Sequence, residues 1–274
     1  MEANLVVDSC VDFNEDTKDI PRVPFRIIID EEEIVDENTD ILELIRKMKK
    51  SRTQIKTACA PPEDFMNKIK VQANNFIVTI SSQLSGSYNS AVMAMETIKE
   101  KFPEAFVHIF DSKTAAAGES LLALKVKQLI EENLNPHEII EQTEKYISKM
   151  NTLFILESLD NLAKNGRISN FKATLANIMN IFPIMGDDGE GRIVLKEKVR
   201  GRKKAFSRLV DMLAEYNIDF ESTVLGITHV NCLEKAENLR DAIKLKYNFK
   251  DIKIFSSAGL STIYADDGGI VIAF

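Results

Sequence analysis

Residues 81–91 read Ser-Ser-Gln-Leu-Ser-Gly-Ser-Tyr-Asn-Ser-Ala, five serines in eleven positions. They follow the apolar run Phe76-Ile77-Val78-Thr79-Ile80, which reads as a buried strand. They precede Ala91 to Ile98, where apolar residues recur with helical spacing. A hydroxyl-rich loop between a strand and a helix N-terminus is suited to holding an oxyanion. Backbone N–H groups at a helix start lack partners, and the helix dipole favours negative charge there. Ser82, Ser85 and Ser87 add hydroxyl donors expected to point at one spot, with Gly86 between them. A helix cap uses one serine; the others are left for a ligand such as a carboxylate or phosphate.

Nucleophilic use of these serines would need a histidine base. His108 lies inside an apolar strand and His137 follows a helix-opening proline. Only His229, at a strand end, is placed where a site could use it. The GxSxG elbow of α/β-hydrolases is absent. The acidic stretch Asp30 to Glu37 has no fixed ligand spacing and reads as a solvated hairpin, not a metal site. The basic stretch Lys196 to Arg208 reads as a solvated face or a docking surface for an acidic partner.

The elements that must position these groups follow from periodicity. Strands at Asn4–Val7, Pro24–Ile29, 76–80 and 106–110 alternate with helices opening near Thr39-Asp40, Pro61-Pro62, Ser87, Thr114 and Pro136. That alternation predicts an α/β half with a parallel sheet covered on both faces. Three of its strands run into small polar groups: Asp8-Ser9-Cys10, the serine loop, and Asp111-Ser112-Lys113-Thr114. Ligands in such sheets sit beyond the carboxyl ends of strands. The small residues Ala115-Ala116-Ala117-Gly118 would leave room there. From Leu153 onward the texture changes to a hairpin (182–185 and 192–199, joined by Gly186 to Gly191) mixed with helices and strands. The expectation is two domains: 1–150, an α/β unit carrying the loop, and 151–274, an α+β unit with a mixed sheet.

Composition narrows the class. A chain of 274 residues with 45% hydrophobic content is large enough for two cores. A net charge of −7 argues against general nucleic-acid binding. Cys10, Cys59 and Cys232 are odd in number and widely spaced, which fits a reducing cytoplasm and neither disulfides nor zinc. Met1-Glu2-Ala3-Asn4 is acidic where a signal peptide is basic, and no apolar run is long enough to span a bilayer. A cytoplasmic location is expected.

These residues together resemble the DegV family of bacterial fatty-acid-binding proteins. The resemblance runs through Val7-Asp8-Ser9, Lys56-Thr57 before Pro61-Pro62-Glu63-Asp64-Phe65, the serine loop, Asp111-Ser112, the turn Asn165-Gly166-Arg167-Ile168-Ser169, Lys198 to Ala205, and Gly268-Gly269. It implies two α/β domains with an acyl chain buried between them and no catalytic chemistry in this chain. Its carboxylate would be held by Ser85 and Thr57, with Ser9, Ser82, Gly86, Ser87, Arg167 and Tyr264 around it. It implies no cofactor or metal beyond the fatty acid. It also implies a separate fatty acid kinase as partner, docking near Arg200, Arg202 and Lys203. The chain departs from the family at two places. Ala58-Cys59-Ala60 follows Thr57 where the family has Ser-Gln-Pro, and Tyr264 to Gly269 replaces the family's His-x-Gly-Pro-Gly. The competing class is an enzyme or binding protein for a small phosphorylated or carboxylated metabolite at the same loop.

Overall fold

In the computed structural model, residues 2–168 and 180–274 are described. Ser169, part of the turn singled out above, lies outside them. The first sheet is fully parallel, in the order β2-β1-β6-β7, from β1 (Ala3–Asp8), β2 (Arg22–Val23), β6 (Asn74–Thr79) and β7 (Val107–Asp111). Asn75 through Thr79 are all buried, as expected of a strand covered on both faces. Between β1 and β6 the strand order reverses direction, which creates the switch point where open sheets bind ligands.

The expected strand at Pro24–Ile29 does not join that sheet. It is β3 (Arg26–Ile29), the centre of a separate antiparallel sheet with β4 (Glu32–Val35) and β5 (Lys56–Ala58). The tight turn at Asp30 and Glu31, both at positive φ, sends the chain straight back beside itself. Hence it cannot make the crossover a parallel neighbour would need. Helix α1 (Ile41–Lys50) follows, with the Asp40 side chain accepting from the Glu43 N–H. Helix α2 (Pro62–Met66) then leads back to β6.

Helix α3 (Ser87–Lys101) covers one face of the parallel sheet through Ala91, Ala94 and Ile98. Helix α4 begins at Ala117, not Thr114, because Ala116 is held at φ 53° and cannot propagate a right-handed turn. From Ala117 to Ala123 α4 (Ala117–Glu131) is buried all round. Leu122 and Val126 pack on the parallel sheet, while Ala117 and Leu121 pack on Phe255 and Ala273 of another sheet. One helix thus serves two cores. Helix α5 (Pro136–Ile147) opens with a reciprocal Asn135–Glu138 capping box.

The remaining strands form a six-stranded mixed sheet ordered β10-β9-β8-β13-β11-β12. These are β8 (Thr152–Ile155), β9 (Ile181–Asp187), β10 (Ile193–Arg200), β11 (Val224–His229), β12 (Asp251–Ser256) and β13 (Ile270–Ala273). Only β11 and β12 are parallel. Helices α6 (Asp160–Lys164), α7 (Arg202–Met212), α8 (Leu233–Lys244) and α9 (Gly259–Ala265) complete the described elements. The first half of the chain reaches into this sheet: Phe13 bridges Ser256, and Ile263 of α9 packs in the core of the three-stranded sheet. Among the described residues no helix is long and apolar enough to cross a membrane.

Candidate functional site

The loops after β1, β6 and β7 meet at one edge of the parallel sheet, shaped by the buried Asp8 and the half-buried Asp111. Asp8 accepts from the N–H groups of Cys10 and Ile80, each at 3.0 Å, and from the Ser87 hydroxyl at 2.6 Å. Asp111 accepts from the backbone and hydroxyl of Ser82 and from the Lys113 N–H. Ser81 donates its hydroxyl to the Gly191 carbonyl at 2.9 Å, which pins the turn of the β9–β10 hairpin onto the serine loop. Gly191 sits at φ 87°, and a Cβ there would stand 2.3 Å from the Ser81 oxygen, so this close approach requires glycine.

The serine hydroxyls therefore do not converge. Ser82 and Ser87 bond to Asp111 and Asp8, and Ser9 donates to Asp36 at 2.9 Å. None of these three lines the adjoining cavity. The reason is electrostatic: a buried carboxylate without donors is costly, and the nearest hydroxyls supply them. Ser85 is different. Its oxygen accepts from the Ser87 N–H at 3.2 Å, and its own proton remains to be donated into the cavity it lines.

That cavity has a volume of about 340 Å³, within the range of small-molecule sites. Its walls are mainly apolar and come from both halves of the chain: Phe25 and Ile80 from one, Phe154, Leu156 and Val271 from the other. Ala115 and Ala116 line it. Ala117 packs into the core instead, and at Gly118 a Cβ would meet Thr114, so those two are not wall residues.

At its polar end stand Thr57, Ser85, Gly86, Arg167 and Tyr264. The Thr57 and Tyr264 hydroxyls lie 2.7 Å apart. One proton serves that bond, and the other remains for a ligand. The Arg167 guanidinium lies over the Tyr264 ring at 5.6 Å from its centre. It donates to the carbonyls of Leu84, at 3.0 Å, and Asn165. Among the described residues no carboxylate stands within ion-pair distance of it. Two hydroxyl protons and a cation lacking an acid partner suit an anionic head group. Cys59 also lines this end, a neighbour the sequence reading passed over.

No histidine of the chain lines the cavity. His229, the one expected near a site, is buried with its Nδ1 accepting from the Cys232 N–H, and burial lowers its pKa. His108 packs against Phe110, 4.6 Å between ring centres, and burial lowers its pKa as well. Among the described residues, then, no histidine stands beside Ser85 to activate it.

Asp36 departs from the solvated hairpin expected of the acidic stretch: it is buried and accepts from the N–H groups of Gly259 and Leu260 at 3.0 and 2.9 Å. Nothing in the local sequence separates Asp36 from the exposed Asp30. Glu119, beneath Cys10, is also buried. Desolvation, reinforced by the neighbouring Asp8 charge, pushes it well above the usual carboxylate range.

Comparison with known proteins places this geometry among relatives. The chain is 32% identical over 284 residues to a DegV domain-containing protein of Streptococcus gordonii, covering 100% of this chain and 99% of that one. A DegV family protein of Ruminococcus gnavus, solved with vaccenic acid, superposes with a TM-score of 0.95 at 37% identity, covering 100% and 99% of the two chains. The fatty acid kinase B3 protein of Streptococcus pneumoniae, loaded with linoleic acid, superposes at 0.92 with 29% identity and the same coverage. The family model described as "Uncharacterised protein, DegV family" matches residues 2–274. The chain belongs to the DegV family.

Proposed function

We propose that this protein binds a long-chain fatty acid, with the acyl chain in the apolar cavity and the carboxylate at Ser85 and Thr57. The single observation that carries this reading is the unequal cavity. It is apolar over most of its wall and is also lined by the hydroxyls of Ser85, Thr57 and Tyr264 beside Arg167, which has no acid partner among the described residues. The solved relatives with vaccenic and linoleic acid support it. Each buried methylene contributes about 0.8 kcal/mol, and each hydrogen bond to a charged group about 1.5–3 kcal/mol. The tail therefore sets affinity, and the hydroxyls set orientation. A small phosphorylated metabolite would leave the apolar walls without a partner.

The domains at 1–150 and 151–274 would each contribute one side of the cavity. The protein would act as a carrier that presents its ligand to a separate kinase and performs no chemistry itself. The three proposed docking residues, Arg200, Arg202 and Lys203, are all exposed. Arg202 pairs with Glu157 at 2.7 Å and lies over the Phe182 ring, so it shapes that surface as well as charging it. Mass spectrometry of extracts from the denatured, purified protein tests the reading. A stoichiometric long-chain fatty acid supports it; a chain that neither retains nor takes up any acyl ligand overturns it.

A further inference from the structure

Helix α9 supplies Leu260, Ser261, Tyr264 and Ala265 to the cavity wall, yet it is short and brings no cap of its own. Its N-cap, Ala258, has no side chain able to accept a hydrogen bond. The acceptors come from far away. Asp36 takes the Gly259 N–H on one carboxylate oxygen and the Leu260 N–H on the other, across more than 220 residues of sequence. Asp12 takes the Ala258 N–H at 2.8 Å and the Thr228 hydroxyl at 2.7 Å. At Gly259 a Cβ would stand 2.2 Å from an Asp36 oxygen, so the carboxylate rests directly on the helix backbone.

Both carboxylates are buried, and among the described residues no ion pair reaches either. Ser9 and Thr39 complete the shell of Asp36, each donating at 2.9 Å. The charged and titratable groups facing this cluster are Arg22, Asp8, Cys10 and Glu119. Two unpaired anions kept dry are costly, and both accept from backbone N–H groups at the start of α9. We infer that Asp36, seconded by Asp12, is the positioning residue for the cavity's head-group end: it fixes α9 and so holds the Tyr264 hydroxyl against Thr57. This rests on the proposed fatty-acid site for its consequence in binding, though not for the clasp itself.

The test combines amide hydrogen exchange with fatty-acid affinity in the full chain. In Asp36→Ala, the Gly259 and Leu260 amides should exchange at least about tenfold faster relative to those of β11, and affinity for oleate should fall about tenfold. Asp36→Asn, which keeps one acceptor oxygen, should recover part of both, and it carries the test if the alanine variant does not fold. The loss of affinity should shrink markedly when Tyr264 is already phenylalanine, because the two residues then act in one chain of contacts. A purely structural Asp36 would cost the same in both backgrounds, and that additivity would overturn the inference. Unchanged protection of Gly259 and Leu260 would overturn it too. A wild-type chain that takes up no oleate sinks the fatty-acid reading instead, and leaves the clasp to be decided by exchange alone.

Discussion

The hydroxyl of Tyr264 lies 2.7 Å from that of Thr57, joining the edge strand of a small antiparallel sheet to a helix near the other end of the sequence. This bond closes the polar end of the cavity and leaves one of the two hydroxyl protons for a ligand. Tyr264→Phe removes one donor and frees Thr57 to turn. Fatty-acid affinity should fall about three- to tenfold, from the loss of about 1 kcal/mol, while the melting temperature moves little. Titration with a fluorescent fatty acid checks it.

Ser85→Ala takes away the one serine proton of the loop that faces the cavity. Affinity should drop about tenfold or more, as expected for a hydrogen bond to a charged group. Ser82→Ala and Ser87→Ala should act differently, lowering stability by leaving Asp111 or Asp8 short of a donor. Thermal melts with and without ligand separate the two behaviours. Equal effects of all three on binding alone would contradict the assignment.

Ala115→Leu should fill part of the cavity beside the tail. Apo stability should change by no more than about 1 kcal/mol, since the added atoms enter empty space, whereas bound long-chain ligand is overpacked. The expected outcome is a shorter population of co-purified chains, read by mass spectrometry.

Burial pushes the Asp12 carboxyl up to about 6. A carboxyl raised above its unfolded value binds a proton more tightly when folded. Its contribution to stability is therefore full below the ordinary value of 3.8 and is lost as pH rises toward 6. Asp12→Asn should flatten that part of the stability profile between pH 4 and pH 6, as chemical denaturation across pH would reveal. Glu119 is raised in the same direction, so Glu119→Gln should likewise lessen the loss of stability as pH rises.

Gly191→Ala places a Cβ against Ser81 at a left-handed backbone position. A loss of about 1–3 kcal/mol is expected, visible as a lower melting temperature, with the hairpin turn lifting from the serine loop.

The fold class was legible because its signals are local. The unbroken apolar run at 76–80, the helix-opening Pro136 and the glycine-rich turn at 186–191 each announce an element by themselves. The course of β3 was not legible, since Arg26 to Ile29 reads equally well as a parallel or an antiparallel strand. For the site, the sequence singles out Thr57, Ser85, Arg167 and Tyr264, and all four line one cavity. Ser9, Ser82 and Ser87 are singled out with them and point elsewhere. Their hydroxyls are claimed by Asp8, Asp36 and Asp111, and which acid claims which serine is a tertiary fact that no spacing encodes.

The clasp on α9 has a kinetic side. Its bonds join residues more than 220 positions apart, and such closures form late because the chain entropy they cost is recovered only when distant pieces dock. The cavity's last wall thus depends on the whole chain being folded, and an unfolded chain has no compartment to fill. A ligand that waits for the finished wall stabilises only the native state, by an amount set by its concentration relative to Kd. Lipid supply would then govern how long the folded molecule survives, beyond governing how full it is.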